Sequence, residues 1–109
     1  MAVKETANLG VLGDAGWRQL VQLLVRVHDE QQMDELLRLL LTPNEQESLA
    51  DRYCIVQALL YSGKPQRQIA KDLQVSIAKV TAGSNGLKHV GRSVRQLLQQ
   101  QMVAPVQES

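Results

Sequence analysis

Apolar residues recur along this chain at three- and four-residue intervals, a period that predicts helices. Trp17, Leu20, Val21, Leu24 and Val27 form one face of a helix running from about Asp14 to about Asp29. Met33, Leu36, Leu37 and Leu40 continue the pattern in a second helix. The string "TPNE" at 42–45 marks a third start, with Thr42 as N-cap, Pro43 at the first helical position and Glu45 closing a capping box. Leu49, Tyr53, Val56, Leu59 and Leu60 line that helix, and Gly63 stands where a C-terminal cap belongs. Pro65 opens a fourth helix with Ile69 and Leu73 facing inward, and Ser76 caps a fifth containing Ile77 and Val80. Val94, Leu97, Leu98 and Met102 mark the last. No alternating strand pattern occurs, so the expectation is an all-α chain of six helices. Residues 1–13 are expected to form a flexible arm, 14–104 a single helical domain and 105–109 a flexible tail.

Composition narrows the picture. Aromatic residues make up 3% of the chain and phenylalanine is absent, so the core is aliphatic. A small aliphatic core in 109 residues favours a homodimer that shares it. The lone Cys54 excludes an internal disulfide and fits a reducing compartment. No apolar run approaches the ~18–20 residues that cross a bilayer, and the amino terminus lacks a signal-peptide pattern. A cytoplasmic protein with no membrane partner is expected. His28 and His89 have no partners at metal-ligand spacing, so neither a metal nor a cofactor is expected. The absence of any nucleophile–base arrangement or phosphate loop argues against an enzyme.

Charge changes the picture more. The net charge of +1 hides seven Lys/Arg against a single acid, Asp72, between residues 64 and 95. The first 63 residues hold five Lys/Arg and nine Asp/Glu. A basic third beside an acidic half is the footprint of a polyanion partner, most simply nucleic acid.

Residues 66–85, "QRQIAKDLQVSIAKVTAGSN", carry the chemistry. Ala70 is small where two helices would cross, and Ile69, Leu73, Val75 and Val80 have the spacing of inner faces. Gln74 occupies the turn position that often needs a left-handed residue, at a cost of up to about 1 kcal/mol. This is a helix-turn-helix pattern, spanning 65–88, whose second helix would enter the major groove with Ile77, Ala78, Lys79 and Thr81 outward. Gly83, Ser84, Asn85 and Gly86 then stand inside that second helix, where a glycine costs roughly 1 kcal/mol relative to alanine. Either the helix stops there or its looseness has a use.

The ordered string "LTPNE…RYCIV…QRQIAKDL…IAKVTAGSNGLK" resembles the bacterial tryptophan repressor family without a gap from about Leu37 to Lys88. The resemblance implies an intertwined homodimer that represses transcription at a palindromic operator in double-stranded DNA, with a free amino acid as corepressor that fixes the reading helix. It implies DNA contacts at Gln66, Arg67, Ser76, Ile77, Ala78, Lys79, Thr81 and Lys88. Of these, Arg67 suits bidentate guanine contact and Lys88 a phosphate. It places the effector against the carbonyls of Leu39 and Leu41, the hydroxyl of Thr42, and Arg52, Ala82, Gly83 and Gly86. The glycines would let backbone approach a small ligand, whose binding orders a marginal helix.

Two positions depart from the family pattern. The family holds an indole ring between two arginines; the first matches Arg52, but the second falls on Ala82. That arginine also meets the ligand carboxylate, and a buried carboxylate without its cation typically costs about 2–5 kcal/mol of affinity. A family serine near the ligand amino group falls on Gly86. The expected effector is therefore an aromatic amino acid, tyrosine or tryptophan, with Lys88, His89 or Arg92 as candidate replacement cations. The alternative is an effector-independent DNA-binding protein that has lost its pocket. A protein-interaction module reusing the fold is a third possibility, separable by its weak salt dependence.

Overall fold

The computed structural model describes residues 12–103; most of the expected amino-terminal arm and all of the expected tail lie outside them. Among the described residues there are six helices and no strand: α1 (Asp14–Val25), α2 (Glu30–Leu40), α3 (Pro43–Tyr61), α4 (Gln66–Leu73), α5 (Ile77–His89) and α6 (Arg92–Gln101). The chain divides after Thr42 into two compact units. The all-α expectation holds.

In the first unit, α1 ends four residues earlier than the apolar spacing predicts. Arg26 and Val27 turn back to the carbonyls of Leu23 and Leu24 at 3.0 and 3.2 Å. Asp29 does not end that helix but caps the next: its carboxylate accepts from the Gln32 amide at 2.8 Å. An aspartate bonded to an orphan amide favours a helix start, and that local bond overrides the apolar period continuing through Val27. Along α2, Arg38 and Asp34 pair at 3.0 Å, one turn apart. Neither helix contains a buried residue.

The second unit holds the core. Ile55 of α3, Ile69 and Ala70 of α4 and Val80 of α5 are buried together, with Ala58, Leu59, Leu73 and Val75 packed around them. Pro43 begins α3 as its sequence predicts, and Gly63 follows that helix with φ at 69°, a conformation glycine adopts without steric cost. Between α4 and α5, Gln74 adopts the left-handed conformation, φ 58° and ψ 45°. Its amide donates to the Lys71 carbonyl at 3.2 Å, and the Val75 amide donates to that of Ala70 at 3.0 Å. These two bonds make a Schellman turn, in which Val75 folds back onto the core and offsets the strain at Gln74. Ser76 then caps α5 by accepting from the Lys79 amide at 3.2 Å. Ahead of α4, Lys64 donates to Asp72 at 2.8 Å and Gln68 does so at 2.7 Å. The Lys64 contact, followed by that of Gln68, lowers the Asp72 pKa below its ordinary 3.8.

The glycines do not stop α5, which runs unbroken from Ile77 to His89. Their environments differ. A Cβ on Gly83 would lie 2.8 Å from Cγ2 of Ile55 and 3.5 Å from Cδ1 of Leu59, whereas one on Gly86 would meet open space. Gly83 is therefore a close approach of helix to helix, made against a branched side chain with little freedom to yield. Gly86 is a plain weakness. Replacing Gly86 by alanine is expected to stabilise the fold by about 1 kcal/mol and raise the unfolding midpoint by several degrees. The overpacking cost of Gly83→Ala, about 1–3 kcal/mol, opposes the same gain and lowers the midpoint. Calorimetry of the two variants checks this, and equal increases would contradict the packing role of Gly83.

Candidate nucleic-acid interface and effector cavity

The start of α4 and the outer side of α5 bring the candidate DNA residues onto one element pair. Arg67, Ser76, Ile77, Ala78, Lys79, Thr81 and Lys88 are all exposed, and Gln66 is half-buried. Ile77 keeps 48% of its surface accessible although it is a large apolar residue one position past a helix cap. Its side chain is thus available for contact at the start of α5. Two of the candidates hold each other: the Thr81 hydroxyl donates to Gln66 Oε1 at 2.9 Å, bracing the beginning of α4 against the middle of α5. Ser76 is occupied as the cap, with its hydroxyl hydrogen left to donate outward.

Lys79 apart, the basic residues of the segment divide into two groups. Lys64 is paired with Asp72, and Arg95 donates from Nη2 to the Leu87 carbonyl at 2.6 Å, closing the end of α5. Arg67, Lys71, Lys88 and Arg92 form no ion pair among the described residues, so their charge is presented to solvent. His89 is exposed and folds back along its own helix, with Nδ1 2.8 Å from the Asn85 carbonyl oxygen.

Of the candidate effector residues, Arg52 and Ala82 come together. With Ser48, Asp51, Ile55 and Lys79 they line a cavity of about 90 Å³ between α3 and α5. Gly83, the next residue, faces Ile55 and gives its missing Cβ to helix packing, and Gly86 borders open space. Leu39, Leu41 and Thr42 belong to the unit that ends at Thr42, with Leu39 79% exposed.

The cavity contains a cation that sequence spacing did not single out for this task. Lys88, His89 and Arg92 are the candidates to replace the missing arginine at 82, but none of them lines it. Lys79 does, 3.9 Å from the Asp51 carboxylate. The available signal was helical: Lys79 and Ala82 are three residues apart and so share a face of α5. Asp51 and Lys79 are 38% and 55% exposed, and an ion pair of that length and exposure contributes at most about 1 kcal/mol. Among the described residues no cluster of His, Cys, Asp or Glu could hold a metal ion. Nor is any described helix long and apolar enough to cross a membrane.

The sequence model of the family described as Trp repressor protein matches residues 15–102. A "Trp operon repressor homolog" of Photobacterium profundum is 42% identical over 82 residues, covering 75% of this chain and 80% of that protein. The "Trp operon repressor homolog" of Vibrio campbellii is 47% identical over 72 residues, 66% of this chain and 72% of the relative. That of Chlamydia trachomatis serovar D is 35% identical over 89 residues, 82% of this chain and 95% of its own length.

The cavity's ion pair is open to a direct check. A double-mutant cycle with D51N and K79M, read by thermal unfolding, is expected to give a coupling of no more than about 1 kcal/mol that shrinks as salt rises. A larger, salt-insensitive coupling would mean that the pair is a fixed structural strut.

Proposed function

This chain belongs to the Trp repressor protein family and is a transcriptional repressor of that kind; from that premise we propose that it binds a palindromic operator in double-stranded DNA as a homodimer. We propose further that a free aromatic amino acid, tyrosine or tryptophan, is its corepressor. The observation that carries the DNA-binding part is the α4–turn–α5 unit. Its inner face is locked into the core through Ile69, Ala70 and Val80, and its outer face offers Arg67, Ile77 and Ala78 uncovered. This supports reading the unit as a helix-turn-helix with α5 as its reading helix. Arg67 reads a guanine, Ile77 and Ala78 make apolar base contacts, and Lys88 holds a phosphate. Gln66 and Thr81 keep the two helices in register at the DNA surface, with Ser76 at the start of the reading helix. Lys79 stands between that surface and the cavity.

Exposed apolar surface supports the dimer. None of α1, α2 and α6 contains a buried residue, yet Trp17, Val21, Leu40, Val94 and Leu97 lie on them 41% to 67% exposed. Apolar faces of this extent need covering, and a second copy of the chain supplies the same faces.

The amino-acid part rests on the cavity beside Arg52, and on the family premise for Leu39, Leu41, Thr42, Gly83 and Gly86. One observation favours a second reading. The cavity has Ala82 where the family pattern has an arginine, and its Lys79 already has Asp51 within 3.9 Å. A repressor of this fold that binds DNA without an effector would be free to lose that arginine.

Two measurements test the proposal. Unfolding of the protein is followed with each of the twenty amino acids added; at 100 times its dissociation constant a ligand contributes about 2.7 kcal/mol. Tyrosine or tryptophan is expected to raise the midpoint by several degrees, and no response to any of them would leave the effector-independent reading. DNA duplexes selected from a random pool are then titrated by fluorescence anisotropy. Arg67→Ala is expected to cost about 1–3 kcal/mol on the selected sequence and relax its specificity. Lys88→Met should weaken selected and random duplexes alike and reduce the salt slope by about 1. Affinity indifferent to salt would rule out the DNA interface.

A further inference from the structure

The cavity between α3 and α5 carries charge of both signs over an apolar floor. Asp51 is its anion, Arg52 and Lys79 are its cations, Ser48 adds a hydroxyl, and Ile55 with Ala82 supplies the apolar part. Resting on the reading of this protein as amino-acid-responsive, we propose that this cavity takes the α-amino-acid head group as a zwitterion. Lys79 is the partner of the ligand carboxylate, and Asp51 is the partner of its ammonium.

Three features lead to this assignment. Charge-assisted bonds between nitrogen and oxygen sit near 2.7–2.9 Å. Asp51 and Lys79 are 3.9 Å apart, so neither charge is saturated by the other. A zwitterion entering between them exchanges that one loose contact for two short ones and leaves the charge of the cavity unchanged. An amine alone would satisfy Asp51 and confront Lys79 and Arg52; a carboxylate alone would satisfy the cations and leave Asp51 without a new partner. A zwitterion pairs charge of both signs at once.

Reach is the second feature. Ser48, Asp51, Arg52 and Ile55 follow one another at three- and four-residue steps on α3, and Lys79 and Ala82 share a face of α5. The flexible four-carbon stem of Lys79 lets its ammonium leave Asp51 for a ligand carboxylate without backbone movement. The alanine at 82 keeps that path clear on the same face.

Size is the third. At about 90 Å³ the cavity is far smaller than the ~300 Å³ or more of a pocket that encloses a whole small molecule. It holds the head group, which all amino acids share, and leaves the side chain to other residues. The bound zwitterion then bridges α3 to α5 through Asp51 and Lys79. Ligand binding thereby fixes the reading helix against the core.

Calorimetric titration of the full chain with tyrosine and tryptophan tests this, alongside tyramine and tryptamine, which lack the carboxylate, and the matching arylpropionates, which lack the amine. The wild type is expected to bind the amino acid at least about tenfold more tightly than either analogue. Lys79→Met should erase the preference over the amine, Asp51→Asn should erase the preference over the acid, and adding Ala82→Arg to Lys79→Met should restore the first. If Lys79→Met binds the amino acid but keeps the wild-type preference over the amine, the role of Lys79 is overturned and the effector reading survives. If the wild type binds no amino acid at all, the effector reading fails and this assignment fails with it.

Discussion

The contact between Ile55 and the bare backbone of Gly83 sets how closely α3 and α5 come together. Most of what matters in the second unit follows from that approach. With no Cβ at Gly83, Ile55 presses against α5 and becomes 1% exposed, and Val80 one turn earlier is sealed completely. Ile69 and Ala70 of α4 close the same cluster. The outward residues of α5 are thereby presented from a helix packed against α3 and α4. The same approach brings Ala82 and Lys79 up to Asp51 and Arg52, so the packing that supports α5 also forms the cavity beside it.

That geometry gives a physical sense to an otherwise awkward sequence. A reading helix with two glycines, a serine and an asparagine in succession should be poor at forming alone. Here one glycine is required by packing, and the helix runs through all four residues because α3 supports it. The second glycine has no such neighbour and lowers the helix propensity of the far half of α5. A ligand that ties α5 to α3 near Lys79 would act at the half of the helix that α3 supports, beside the proposed DNA contacts Ile77, Ala78 and Thr81.

Much of this was legible in the sequence because it rested on local chemistry. Pro43 opens α3, Ser76 caps α5 through the Lys79 amide, and Gln74 takes the left-handed turn despite its side chain. Each is decided by the residue and its immediate neighbours. The end of α1 was misplaced because apolar spacing continues through Val27, while the side chain of Asp29 is committed to Gln32 and the next helix. Two features of the site escaped for the opposite reason, since they depend on another helix. The neighbour of Gly83 is Ile55, and the cation beside Arg52 is Lys79, not Lys88, His89 or Arg92. The shared face of Lys79 and Ala82 is readable within α5, but that Arg52 and Ile55 lie opposite it appears only when α3 is laid against it.

The central claim is that a free amino acid governs how tightly the α4–α5 unit holds DNA. The most direct measurement is the dissociation constant for a selected duplex at fixed salt, with and without saturating tyrosine or tryptophan. The account predicts that one of the two tightens binding at least about fivefold, a coupling of at least about 1 kcal/mol. Affinity unchanged by every amino acid would contradict it and leave a repressor of this family that acts without an effector.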